Sequence, residues 1–227
     1  MLTDAAPMYR ALYLLFIILL ASPAWSGAWL RGKDSAFTAA SVTVFKEPDQ
    51  GYDYASALYA EWGARDNLTI GFDFEENRDL YGHATVFARI PVADLQQKGR
   101  FAAEFGVGVH HRYRGAWALY KATLSYGKGY STGWGNGWVA LDASLEYRTH
   151  DALYRKLDLT TGLNSARLIN PLLQVETAYR SGSSLFWRVR PSAMIRWQDS
   201  PTTWVLGLER KDARNDTGIK LAIWSEF

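Results

Sequence analysis

The sequence predicts an all-β chain whose strands close into a transmembrane antiparallel up-and-down barrel of about twelve strands, with about ten as the alternative. Three observations carry this expectation. Apolar and polar residues alternate with period two in short runs separated by Gly, Asn, Asp, Pro and Ser clusters, and no run keeps a helical period. From the second run onward, the charged residues inside each run share one parity. The apolar parity ends in aromatic residues, as a lipid-facing band between two interfaces requires. A soluble sandwich also alternates, but only a face turned to lipid has to be kept so free of charge, because a charge at the bilayer midplane costs about 2–4 kcal/mol.

In chain order, Arg10 precedes the apolar run Ala11 to Ala21 and the small-residue zone Ser22-Pro23-Ala24-Trp25-Ser26-Gly27-Ala28. This is the layout of a secretory signal peptide, with the start at Met1 or Met8 and cleavage expected after Ser26 or after Ala28. The run is short of the about 20 residues of a transmembrane helix. Residues 1–26 are therefore set aside, and residues 27–227 are expected to form one barrel domain.

The first strand, around Ala36 to Phe45, leaves its register open, because Val42 and Val44 lie on one parity and Phe37 and Phe45 on the other. Tyr52 to Trp62 is clearer, with Leu58, Ala60 and Trp62 opposing Asp53, Tyr59 and Glu61. After the turn at Ala64-Arg65-Asp66-Asn67, Leu68, Ile70, Phe72 and Phe74 oppose Thr69, Gly71, Asp73 and Glu75. The pattern continues through Ala84 to Val92, Phe101 to Val109, Ala118 to Tyr126, Val139 to Tyr147, Leu157 to Leu163, Leu173 to Tyr179, Trp187 to Trp197 and Trp204 to Leu208. Pro191, which lacks an N–H, predicts a bulge or a strand end. With an even strand count both termini share one end. The connections at the other end are expected near Lys46 to Gly51, Asn77 to Gly82, Arg112 to Gly115, Thr149 to Arg155, Arg180 to Ser184 and Lys211 to Thr217, all of them short.

The chain closes on G-I-K-L-A-I-W-S-E-F, Gly218 to Phe227, with Ile219, Leu221, Ile223, Ser225 and Phe227 on one parity and Lys220, Ala222, Trp224 and Glu226 on the other. This strand resembles the closing strand of bacterial outer-membrane β-barrel proteins, in which the terminal aromatic residue is read by the assembly machinery; Ser225 departs from the usual hydrophobic residue at its place. The resemblance implies location in the cell outer membrane, Phe227 as the assembly signal, and the lipid bilayer and barrel-assembly machinery as partners.

Composition narrows the function. The net charge of +2 and the absence of a basic stripe argue against nucleic acid as a partner. The chain has no cysteine, which excludes disulfide scaffolds and thiolate metal sites. Cofactors and metals are not expected. Gly129-Tyr130-Ser131-Thr132-Gly133 matches G-x-S-x-G, but no helix follows as a nucleophile elbow requires, so Gly127 to Gly137 reads as a flexible hairpin connection. The histidines, His83, His110, His111 and His150, all fall near the rim away from the termini. Because barrel phospholipases and lipid A deacylases work at that leaflet with Ser-His chemistry, an outer-leaflet hydrolase is one alternative function.

The polar parity is the larger candidate site. It offers Asp73, Glu75, Arg89, Glu104, Lys121, Asp142, Glu146, Arg148, Lys156, Asp158, Glu176, Arg180, Arg188, Arg190, Arg196, Glu209 and Lys220 to the lumen. One reading is a narrow passive channel or uptake protein for small solutes, with Arg180, Arg188 and Arg190 attracting anions. The other is a closed structural barrel whose lumen is filled by salt bridges. The same residues serve both.

Overall fold

The computed structural model describes residues 27–47, 51–113, 115–198, 200–212 and 217–227. The signal peptide expected over residues 1–26 lies outside them. Twelve strands form: β1 (Ala36–Glu47), β2 (Gly51–Arg65), β3 (Leu68–Asn77), β4 (Gly82–Asp94), β5 (Arg100–Arg112), β6 (Gly115–Thr132), β7 (Gly135–Arg148), β8 (Leu153–Asn164), β9 (Ile169–Arg180), β10 (Phe186–Arg196), β11 (Thr202–Lys211) and β12 (Thr217–Glu226). Each pairs antiparallel with its sequence neighbours, and β12 returns to β1, closing the barrel. The seam is finished by Ala36 and Phe227, which exchange backbone hydrogen bonds of 2.9 Å in each direction. A short 3-10 turn, Gln96–Lys98, lies between β4 and β5.

The alternation is resolved as an outer and an inner face. Leu58, Ile70, Val86, Phe105, Leu124, Leu145, Leu157, Leu206, Leu221 and Ile223 are exposed on the outside, giving a continuous apolar belt. Trp62, Trp197 and Trp204 bound it near the terminal end, and Tyr52, Tyr54, Tyr147 and Tyr179 near the other. Such a belt between aromatic girdles is the surface a bilayer accommodates. In β1 the ambiguous register resolves with Val42 and Val44 outward and Phe37 and Phe45 buried inside.

Three local expectations are corrected. Pro191 makes neither a bulge nor an end: β10 continues through it, paired to Leu173 of β9, and the bridges to β11 pause at Arg190 and Pro191 without a change of register. The missing N–H is tolerated where the ladder lacks a bridge on that side. Register shifts occur instead at Pro91/Ala93 and at Gly63/Arg65. The flexible hairpin connection expected over Gly127 to Gly137 is mostly paired strand, with β6 and β7 paired out to Thr132 and Gly135. Its glycines read as punctuation, yet the Tyr130 ring lies over the bare Gly137 opposite it, so an aromatic side chain covers the gap the glycine leaves. Finally, β8 begins at Leu153, so the last part of the connection expected over Thr149 to Arg155 is strand.

Candidate functional site: a charged lumen closed at one end

The inward positions build two different interiors. At the terminal end the lumen is apolar: Trp138, Ala140, Leu172, Met194, Val205 and Ala222 form a buried cluster, with Trp224 packed against it. Ala28 and Trp29, which precede β1, belong to the same cluster. The segment 27–35 thus turns into the barrel as a strap. Trp29 is only 7% exposed and meets Trp138 edge to face at 6.5 Å. Two strand glycines make room for it, since a Cβ on Gly127 would stand 2.5 Å from the Trp29 ring, and one on Gly63 would strike the Gly32 carbonyl. Backbone hydrogen bonds from Asp34 to Gly63 (2.8 Å) and from Gly63 to Ser35 (2.9 Å) tie the strap to β2.

Above the strap sits a buried ion cluster. Glu61 accepts from Arg31 Nε at 2.6 Å, from Arg89 Nη1 at 2.5 Å and from the Tyr59 hydroxyl at 2.5 Å. Arg89 also donates to Glu104 at 2.7 Å and to Tyr59 Oη at 3.0 Å, while Lys121 approaches Glu104 at 3.7 Å. Arg31 further donates its backbone N–H to Thr69 Oγ1 at 2.9 Å. Glu61 and Glu104 each face a guanidinium, the condition under which buried charge is tolerated.

Toward the other end the lumen opens into a cavity of 590 Å³. One wall carries Arg188 and Arg190 on β10. Arg190 pairs with Glu176 and, at 2.9 Å, with Glu209, and Arg188 reaches Glu209 at 3.5 Å and Glu176 at 3.7 Å. The flanking strands supply these carboxylates because Glu176 stands opposite Arg188 in the β9–β10 register. Arg188 also meets Glu75 of β3 at 3.3 Å, a bridge across the lumen. A second wall holds Glu146 between Arg148 (2.5 Å) and Lys156 (2.6 Å), and Asp73 beside His83 (3.3 Å). At the rim, Asp151 joins Arg112 and Arg180, both at 3.0 Å. Glu75, Glu176 and Asp73 keep about a third of their side-chain surface open, so this half of the lumen is wet.

Every inward residue expected from the alternation therefore faces the lumen, but they do not form one site. Arg89 and Glu104 belong to the buried cluster; Arg196, bonded to Thr203 Oγ1 at 2.9 Å, lines a 20 Å³ void near the terminal end. Lys220 and Asp158 line the large cavity without an ion-pair partner within 4 Å among the described residues. Lys211 also lines it, with its ammonium 3.7 Å over the Phe45 ring. Missing from the expected set were Glu61, Tyr59 and Arg31. Glu61 and Tyr59 sit on the correct parity of β2, which is the available sequence signal, whereas Arg31 precedes the first strand and follows no alternation.

The rim histidines do not assemble a nucleophile. His83 faces Asp73, His111 faces Glu76 at 2.9 Å, and His110 meets the Thr149 carbonyl at 3.1 Å while stacking on Trp117. Ser131 lies far from them on the β6–β7 hairpin and donates to Asn136 at 3.0 Å. Among the described residues no serine hydroxyl is hydrogen-bonded to a histidine.

No family model and no curated protein matches the sequence. Solved structures with the same architecture do. A KdgM porin is 10% identical with a TM-score of 0.57, covering 84% of this chain and 99% of its own, and has also been solved in complex with disordered oligogalacturonate. The COG4313 outer membrane channel from Pseudomonas putida F1 is 10% identical with a TM-score of 0.57, covering 91% and 100%. LpxR from Salmonella typhimurium is 11% identical with a TM-score of 0.54, covering 83% and 99%. The chain thus has the architecture of the outer-membrane β-barrels.

Proposed function

We propose that this barrel is a small-solute uptake protein of the outer membrane, with the charged cavity as its outward-facing vestibule and the strap as the element that governs passage at the periplasmic end. The observation that carries the reading is the wet 590 Å³ cavity lined by ionised groups of both signs, reaching the rim opposite the termini. A cavity of that size admits a solute of monosaccharide or amino-acid dimensions together with water. Among the described residues no carboxylate lies within 4 Å of Lys220 or Lys211, while Arg188 and Arg190 are committed to three glutamates. Anion preference is accordingly assigned to the lysines of β11 and β12 before the arginines of β10. That a KdgM porin has been solved with an oligogalacturonate, a chain of carboxylate-bearing sugars, is compatible with small anionic solutes here.

The test is reconstitution in planar bilayers and liposomes. Small conductance steps are expected, with an anion preference that falls in Lys220→Ala, and a larger conductance when Trp29→Ala loosens the strap. Absence of conductance and of liposome swelling in wild type and in Trp29→Ala alike rejects the channel. A second reading, the closed structural barrel, is favoured by the Glu75–Arg188 bridge across the lumen. It predicts that Arg188→Ala lowers stability and leaves both variants impermeable.

A further inference from the structure

Two carboxylates stand side by side on the lumen wall without a cation. Asp142 of β7 is the direct cross-strand neighbour of Asp158 of β8, and its other neighbour is Ser125 of β6. Neither aspartate has an ion-pair partner within 4 Å among the described residues, the nearest basic side chain on β8, Lys156, being committed to Glu146 at 2.6 Å. Asp142 Oδ1 is in addition fully buried and accepts no hydrogen bond. Like charges placed directly opposite each other destabilise a strand pair, and an unpaired buried carboxylate oxygen is costly, so this position calls for a cationic donor.

What lies against it is the start of the strap. A Cβ on Gly27 would be 2.9 Å from Asp142 Oδ1 and 3.3 Å from Oδ2, and 3.4 Å from the Ala140 side chain. A Cβ here would make the Asp142 carboxylate shift, and Gly27 has a φ of 82°, which glycine adopts without strain. Since Cα–Cβ and Cα–N bonds are both about 1.5 Å, the Gly27 nitrogen lies within a bond rotation of the carboxylate. As an amide that nitrogen carries one neutral N–H. As a free chain terminus it is an ammonium group with three donors at neutral pH.

We infer that cleavage between Ser26 and Gly27 creates the missing cation, and that the new α-ammonium group of Gly27 docks on Asp142 and seats the strap in the lumen. This rests on the signal-peptide reading of residues 1–26, and it chooses the cleavage after Ser26 over that after Ala28, which would remove Gly27 altogether. Removal of the leader then adds a contact at the terminal end: the new ammonium group on Asp142 joins the Arg31–Glu61 pair and the backbone bonds to Gly63 in fastening the strap.

The test uses protein exported and purified from outer membranes. Intact mass is expected to correspond to a chain beginning at Gly27. An aldehyde reagent selective for α-amines, applied to the folded protein, is expected to label wild type about tenfold more slowly than Asp142→Asn, because the docked amine reacts only on local opening. A second variant, with two glycines inserted between Ser26 and Gly27, moves the amine off Asp142 and is expected to label as fast as Asp142→Asn, so the conclusion survives a folding failure of either one. A mature chain beginning elsewhere, or folded wild type labelling at the rate of the variants, overturns the inference. Solute conductance is not read in this test, so its outcome is independent of the channel proposal.

Discussion

Glu61 is the residue on which the closed end of the lumen most depends, and Glu61→Gln is the sharpest perturbation of it. Its side chain has no solvent exposure and holds Arg31 at 2.6 Å and Arg89 at 2.5 Å. Hydrogen bonds to charged groups are worth about 1.5–3 kcal/mol each, so the two together contribute about 3–6 kcal/mol. Glutamine keeps its carbonyl oxygen for one guanidinium but turns an NH₂ toward the other, so about half is lost. The expected destabilisation is about 1.5–3 kcal/mol, reaching the lower edge of the range for breaking a buried pair. Equilibrium guanidinium unfolding of the detergent-folded barrel, followed by tryptophan fluorescence, measures it. Because Arg31 belongs to the strap and Glu61 to the wall, a double-mutant cycle with Arg31→Ala isolates the bond between them, with an expected coupling of about 1.5–3 kcal/mol. A loss below about 0.5 kcal/mol for Glu61→Gln, or additivity within about 0.5 kcal/mol, would refute the claim that this pair fastens the strap.

Three further outcomes are expected. Gly127→Leu, whose Cβ starts 2.5 Å from the Trp29 ring, should cost about 1–3 kcal/mol by overpacking, and the cost should largely vanish in a Trp29→Ala background; equal unfolding midpoints lost in both backgrounds would contradict the seating of Trp29 there. Leu124→Arg, at an exposed position in the middle of β6, should lose about 2–4 kcal/mol when unfolding is measured in lipid vesicles, and no loss would argue against lipid contact. Deleting Phe227 removes both the terminal aromatic residue and its backbone exchange with Ala36, whereas Phe227→Ala removes only the ring. Heat-modifiable barrel recovered from outer membranes should fall in both, and the purified protein's unfolding midpoint only in the deletion; normal recovery of Phe227→Ala would dissociate the ring from assembly.

The barrel was legible because its physics is local. Strand alternation places Arg188 and Lys220 inward and Leu206 and Ile223 outward whatever the neighbouring strands do, and an even strand count puts Ala36 and Phe227 at one end. The pairing of Arg188 and Arg190 with Glu176 and Glu209 follows the same local logic, because adjacent strands in an up-and-down barrel are adjacent in sequence. Where glycine marked something other than a turn, sequence reading failed: Gly137 lies beneath Tyr130, and Gly127 and Gly63 make room for the strap.

The sequence by itself determined which residues meet lipid and which meet the lumen, since that depends only on parity along each strand. Whether the lumen charges line a passage or cancel one another was decided by tertiary structure, because ion pairing across a barrel depends on register and tilt summed around the whole circumference. Glu75 and Arg188 meet although they are 113 residues apart, and among the described residues Asp142 and Lys220 keep no charged partner within 4 Å although they share the lumen with many. The strap is the clearest case. Nothing in the alternation of residues 27–35 says that they fold into the barrel, because their partners, Glu61, Thr69, Gly127, Trp138 and Asp142, come together only when the sheet closes.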